Sequence, residues 1–188
     1  NQKRTEVSYK EEDPIKASVL RFYNKGFNNN LSQRYKAKLL MAIVDKIFFN
    51  EIREKNKLVY SIFMGEYFSQ KLPIGLISII LGYDSDPENV DIINKKIENI
   101  LNGVKNKNFD KQIFINQKKA LVNELRNVQS TNKYWINSLI RADKYNENFE
   151  RYAYIEQIIN QISLNDISLL AKKYFDENYF NSIQLIKE

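Results

Sequence analysis

The chain has 188 residues, is 43% hydrophobic and 28% charged, and carries a net charge of +6. That is the size and composition of one soluble globular domain, too short for two domains with full cores. It contains no cysteine and no histidine. Disulfides and thiolate chemistry are excluded, and the usual general base and the commonest metal ligand are missing.

No apolar run approaches the roughly 20 residues of a membrane-spanning helix. The chain begins at Asn1 with no signal peptide, and is expected to be a fragment or a processed form. Its lysines are scattered among Asn and Ile. The pairs Lys95–Lys96, Lys118–Lys119 and Lys172–Lys173 fall on predicted solvated helix faces. Nucleic-acid binding is therefore not expected from the charge alone.

In chain order, residues 1–13 are polar and are followed by Pro14, so they read as the tail of a linker, with a single domain over 14–188. Residues 16–23 (KASVLRFY) have strand composition, closed by Gly26 and Asn28–Asn29–Asn30. Ser32 is placed to cap a helix running to about residue 55. Leu39, Ile43 and Ile47 form one apolar row on it, and Leu40, Val44, Phe48 and Ile52 the next. Residues 58–65 and 75–83 read as strands, the second apolar on both faces apart from Ser78 and so central in its sheet. The connection around Lys71–Leu72–Pro73 suits an antiparallel hairpin with a longer loop.

Asp86–Pro87–Glu88 is a helix start, with Asp as cap and Val90, Ile93, Ile97 and Ile100 inward. Asp110 opens another helix with Phe114, Leu121, Leu125 and Val128 inward. Helical stretches follow at 133–145 and 149–162. Ser163 and Asp166 form a capping box for a helix to about 175, and 181–186 alternates as a last strand. The order predicts a two-layer α/β (α+β) sandwich. About four mainly antiparallel strands carry helices on one face.

No phosphate loop, dinucleotide fingerprint or nucleophile–base pair is present. Glu11–Glu12 lies in the tail, and Lys133–Tyr134–Trp135 sits at helical spacing, where aromatics belong to a core. One segment stands apart: Arg53-Glu54-Lys55-Asn56-Lys57-Leu58-Val59-Tyr60-Ser61. Arg53 suits the negative end of a helix dipole and Tyr60 alternates with Leu58 and Ile62, so both have ordinary structural explanations.

The segment nonetheless resembles the R-E-x-x-x-L-V-Y-S signature in the C-terminal half of insulinase, pitrilysin and mitochondrial-processing-peptidase-like zinc peptidases. Tyr83-Asp84-Ser85-Asp86-Pro87-Glu88, Lys133-Tyr134-Trp135-Ile136 and the stretch from Ser163-Leu164 to Ala171-Lys172-Lys173-Tyr174-Phe175 resemble further family motifs in the family's order. The resemblance implies two homologous halves enclosing a chamber. Zinc is held by an H-x-x-E-H motif in the N-terminal half, whose Glu activates the bound water. Arg53 and Tyr60 would reach the substrate carbonyl and oxyanion from the other side.

Without histidine this chain cannot carry the zinc motif. It is expected to bind no metal, to be inactive alone, and to meet an N-terminal zinc-bearing half and an unfolded peptide. Either it is the C-terminal domain of a zinc endopeptidase, or it belongs to a non-catalytic subunit that completes another chain's chamber. The resemblance leans towards a periplasmic or other extracytoplasmic setting.

Overall fold

The computed structural model describes residues 5–11, 16–69, 75–176 and 180–187. Five strands form one sheet: β1 (Thr5–Glu11), β2 (Ala17–Phe27), β3 (Ser61–Ser69), β4 (Gly75–Ser85) and β5 (Asn181–Lys187), in the spatial order β1-β5-β2-β4-β3. β4 pairs antiparallel with β2 and β3, so it is central, as its apolar run predicts. β2 pairs antiparallel with β5, and β1 pairs parallel with β5. The loop around Lys71–Leu72–Pro73 lies outside the described residues.

Residues Thr5–Glu11 form the fifth strand rather than the tail of a linker, in register from Thr5↔Asn181 to Glu11↔Lys187. A short edge strand with Val7 and Ser8 exposed carries little hydrophobic pattern, and its partner comes from the far end of the chain.

Six α-helices cover one face: α1 (Leu31–Phe48), α2 (Val90–Lys105), α3 (Lys111–Gln129), α4 (Asn132–Tyr145), α5 (Ile155–Asn160) and α6 (Leu164–Tyr174). Odd-numbered residues of β2 and β4 point into this layer. Val19, Tyr23, Phe27, Ile77, Ile79, Leu81 and Tyr83 are buried there. Both apolar rows of α1, from Leu39 to Ile52, are buried against them. A smaller core joins Leu31, Val122, Leu125, Ala142, Tyr152, Ile155 and Ile159. Tyr134 and Trp135 pack on it, with Trp135 Nε1 donating to the Gln129 carbonyl at 2.8 Å.

Three local readings change. Asn30, not Ser32, caps α1, because its Oδ1 accepts from the Gln33 amide at 3.0 Å. On α3 the buried positions are Val122 and Leu125, whereas Val128 is 41% exposed. Phe114, Leu121 and Val128 follow a strict seven-residue spacing, which drifts about 20° per heptad on a straight helix and carries Val128 off the core. Lys118 is only half-exposed, with its ammonium tied down. It donates to the carbonyls of Asn160 and Ile162, at 2.7 and 2.8 Å, at the end of α5 and just past it.

The capping box of α6 is present, and Asp166 also accepts from Lys36 at 2.5 Å. Burial raises the carboxyl's pKa, but the bonds from Lys36 and Ser163 outweigh it and bring it down to about 2. A depressed carboxyl contributes stability above its unfolded pKa, near 3.9, and loses it as pH falls through the folded value. Acid unfolding should therefore steepen between about pH 4 and pH 2. In Asp166→Asn that window should flatten, which chemical denaturation across pH would measure.

Candidate functional site

α1 does not stop at Phe48. It runs into a π-helical turn, Phe49–Glu54, marked by the Lys55 amide donating to the Asn50 carbonyl at 3.0 Å. Wide turns of this kind are rare and recur at functional sites. Arg53 lies in it, exposed, with its guanidinium over the Phe49 ring at 5.5 Å. The chain then reverses through Lys57, at φ 52°. The Lys57 and Leu58 amides donate back to the carbonyls of Arg53 and Ile52, each at 3.1 Å. Val59 is buried, which fixes the path into β3.

Tyr60 follows. Its amide donates to the Asp84 carbonyl at 2.8 Å, which sets it beside the end of β4. Its ring is 56% exposed, and its hydroxyl donates to the Asp86 carboxylate. That bond, then burial and the charge of Asp86, raise the phenol's pKa, so the hydroxyl stays protonated at neutral pH. Asp86 was expected to cap the next helix. Its side chain makes no capping bond, and the helix opens instead with a 3₁₀ turn, Pro87–Asn89.

The signature thus places Arg53 and Tyr60 on adjoining, hydrogen-bonded backbone, both exposed. Their tips hold different partners, Arg53 on Phe49 and Tyr60 on Asp86. Sequence reasoning missed Asp86 as the phenol's acceptor. It also missed Asp84, which accepts from Ser18 at 2.6 Å, Lys16 at 3.0 Å and Ser61 at 3.1 Å. The Ser18 bond, followed by those from Lys16 and Ser61, outweighs partial burial and lowers the Asp84 carboxyl's pKa. The only signal for either was the acidic Tyr83-Asp84-Ser85-Asp86 run, which reads equally well as a helix start.

Asp84 stands on the sheet face that the helices leave open. The even-numbered residues of β2 and β4 and the odd-numbered residues of β3 share this face in register: Ser18↔Asp84↔Ser61, Leu20↔Gly82↔Phe63 and Phe22↔Ile80↔Gly65. Phe63, Tyr67, Leu76, Ile183 and Leu185 are exposed on it. The Asp84 cluster forms its polar end, beside Tyr60, whose amide donates to the Asp84 carbonyl.

Among the described residues, no group of three or more His, Cys, Asp or Glu side chains is placed to hold a metal ion. With neither histidine nor cysteine in the sequence, the residues do not fit a tetrahedral zinc centre. None of the described helices is long and apolar enough to cross a membrane.

A family model described as the peptidase M16 inactive domain matches residues 1–121. The chain belongs to the M16 peptidase family. No curated protein matches it. Among solved structures, this M16 domain is similar to the periplasmic protease PqqL of Escherichia coli at TM-score 0.78 and 17% identity, covering 98% of this chain and 21% of that one. It is similar to the ferredoxin protease FusC, solved with Arabidopsis ferredoxin, at TM-score 0.79 and 16% identity, covering 99% and 20%. An M16 inactive domain from Pseudomonas fluorescens gives TM-score 0.71 and 11% identity, covering 98% and 43%. Identities this low establish the shared fold. The M16 domain described here spans about a fifth of the first two relatives.

Proposed function

We propose that this domain is the zinc-free C-terminal part of an M16 endopeptidase. Its open sheet face would form one wall of the peptide chamber, and Arg53 and Tyr60 would be presented to the substrate carbonyl and the tetrahedral oxyanion. The observation that carries the reading is the exposed Tyr60 beside the polar end of that face, in the segment whose Lys57 and Leu58 amides bond back to the turn that holds Arg53.

A phenol kept protonated and a guanidinium are both donors suited to developing negative charge. In the free domain the Tyr60 hydroxyl donates to Asp86, so stabilising an oxyanion requires it to exchange that acceptor for the substrate. Zinc chemistry belongs, in this reading, to an N-terminal half. An extracytoplasmic setting fits the reading. The second reading is a catalytically silent subunit closing another chain's chamber; the Arg53 and Tyr60 pair favours the first.

The isolated chain should fold, purify without stoichiometric zinc and cleave no peptide. Metal analysis together with a quenched-peptide assay tests this. One tightly held zinc per chain with chelator-sensitive cleavage would overturn both readings. An H-x-x-E-H sequence upstream in the same reading frame would select the first.

A further inference from the structure

The geometry points to a second site: a cavity of about 480 Å³ between α1, α3 and α4 that takes a small aromatic carboxylate, with the carboxylate on Arg141. The site lies in the helical layer, away from the open sheet face, and does not depend on that face being a chamber wall.

α3 packs against both α1 and α4, while α1 and α4 make little or no direct contact. They are tied at one place, where Arg34 of α1 holds Glu147 in the turn after α4. Elsewhere a gap remains, and each helix turns residues of helical spacing towards it: Leu31 and Tyr35 on α1, Val128 on α3, and Tyr134, Ser138 and Arg141 on α4. Val128, which is off the core, is thus an apolar part of the cavity wall. The volume falls within the range of small-ligand pockets, about 300–1,000 Å³.

The wall has donors to spare. Ser138 is 5% exposed, and its hydroxyl makes no hydrogen bond among the described residues. A buried hydroxyl without a partner costs free energy, so this one calls for an acceptor from outside the chain. The Tyr35 hydroxyl is likewise without a partner among the described residues. Burial above all pushes its pKa up to about 12, which keeps it a donor at neutral pH.

The unengaged charge on the wall is positive. Arg34 is held by Glu147, and Lys38 lies over the Tyr35 ring and acts on the Glu66 carboxyl. Among the described residues, Arg141 and Lys133 pair with nothing, and the charge of Arg141 acts on the phenols of both Tyr35 and Tyr152. Glu124 is the one carboxylate among the lining residues, so two unengaged cations face one anion. The cavity between α3 and α5 differs, because its cations are spent: Lys118 on two carbonyls and Arg126 on Glu156.

A guanidinium fork matches a carboxylate with two parallel bonds, and the Tyr35 and Ser138 hydroxyls add neutral donors. Glu124 makes a doubly charged phosphate the poorer guest. The Tyr35, Tyr134 and Tyr152 rings, with Leu31 and Val128, supply the apolar wall for an aromatic ring.

The test uses the chain itself with 3-phenylpropanoate, its amide and inorganic phosphate as probes. In NMR titration the carboxylate should shift amides of residues 34–38, 124–131 and 134–141. It should bind about tenfold or more tighter than the amide, and tighter than phosphate. Arg141→Gln, at an exposed residue without a partner, should fold and lose the preference for the carboxylate. Lys172→Gln, on the exposed side of α6, removes the same charge elsewhere and should keep it. The site would be overturned by equal binding of carboxylate and amide, by phosphate binding as tightly, or by shifts elsewhere. An absence of shifts up to about 10 mM probe, an Arg141→Gln chain that keeps the preference, or an equal loss in Lys172→Gln would overturn it too.

Discussion

In the zinc-bearing enzyme to which this domain is assigned, Tyr60→Phe should lower kcat by about 10²–10³, the usual cost of removing one oxyanion donor. The ring and its packing are kept. Only the hydroxyl and its bond to Asp86 go. Affinity for the ground-state peptide should change less, because the carbonyl carries less charge than the tetrahedral oxyanion, so the loss should appear in kcat rather than in KM. Tyr154→Phe, at an exposed tyrosine in the helical layer, is the control and should behave as wild type. Arg53→Ala should also slow turnover, less cleanly, since it removes the cover of the Phe49 ring at the helix end. Full activity in a folded Tyr60→Phe enzyme would refute the assignment, and equal losses in Tyr154→Phe would indicate instability.

The largest stability effect should come from Arg34. It is 3% exposed and donates to both oxygens of Glu147, at 2.7 and 2.8 Å, and to Asn29 at 3.2 Å. The Tyr152 hydroxyl donates to the same carboxylate at 2.5 Å, tying α1 to the turn after α4 and to the segment before α5. Arg34→Ala leaves Glu147 half-enclosed without its cation, and breaking a buried pair in this way costs about 3–5 kcal/mol. In a domain of this size the midpoint should fall by roughly 6–20 °C.

The contrast is Arg21, equally buried on β2. Its Nε and Nη1 make no hydrogen bond, its ion pair to Glu98 is 3.7 Å long, and its guanidinium lies 5.0 Å from the Phe180 ring centre. Arg21→Met exchanges a poorly compensated buried cation for an apolar side chain and should be neutral or stabilising by about 1 kcal/mol or more. Thermal melts of the two variants side by side check both. A more destabilised Arg21→Met would mean that the polar inventory of the core has been misjudged.

Much of the fold was legible because local signals and burial coincide. The paired apolar rows of α1, the all-apolar β4 and the Ser163/Asp166 box each state their environment within a few residues. What escaped was set at a distance. β1 becomes a strand because a segment from the other end of the chain lies beside it. Val128 looks inward only if the helix is given a heptad period.

At the site, the sequence supplied Arg53 and Tyr60 through their resemblance to a family signature. It could not show that Asp86 gives up the helix cap to hold the phenol, nor that Gly82 lets the Phe63 ring lie across β4. These depend on cross-strand register and on side-chain direction, which no single-segment pattern contains.

The most direct test of the central claim is the structure of the zinc-bearing enzyme with a phosphinic peptide analogue, whose tetrahedral oxygen stands in for the oxyanion. The Tyr60 hydroxyl should leave Asp86 and lie about 2.7–3.1 Å from that oxygen. A hydroxyl still on Asp86, with the analogue bound and its oxygen met by other donors, would contradict the account.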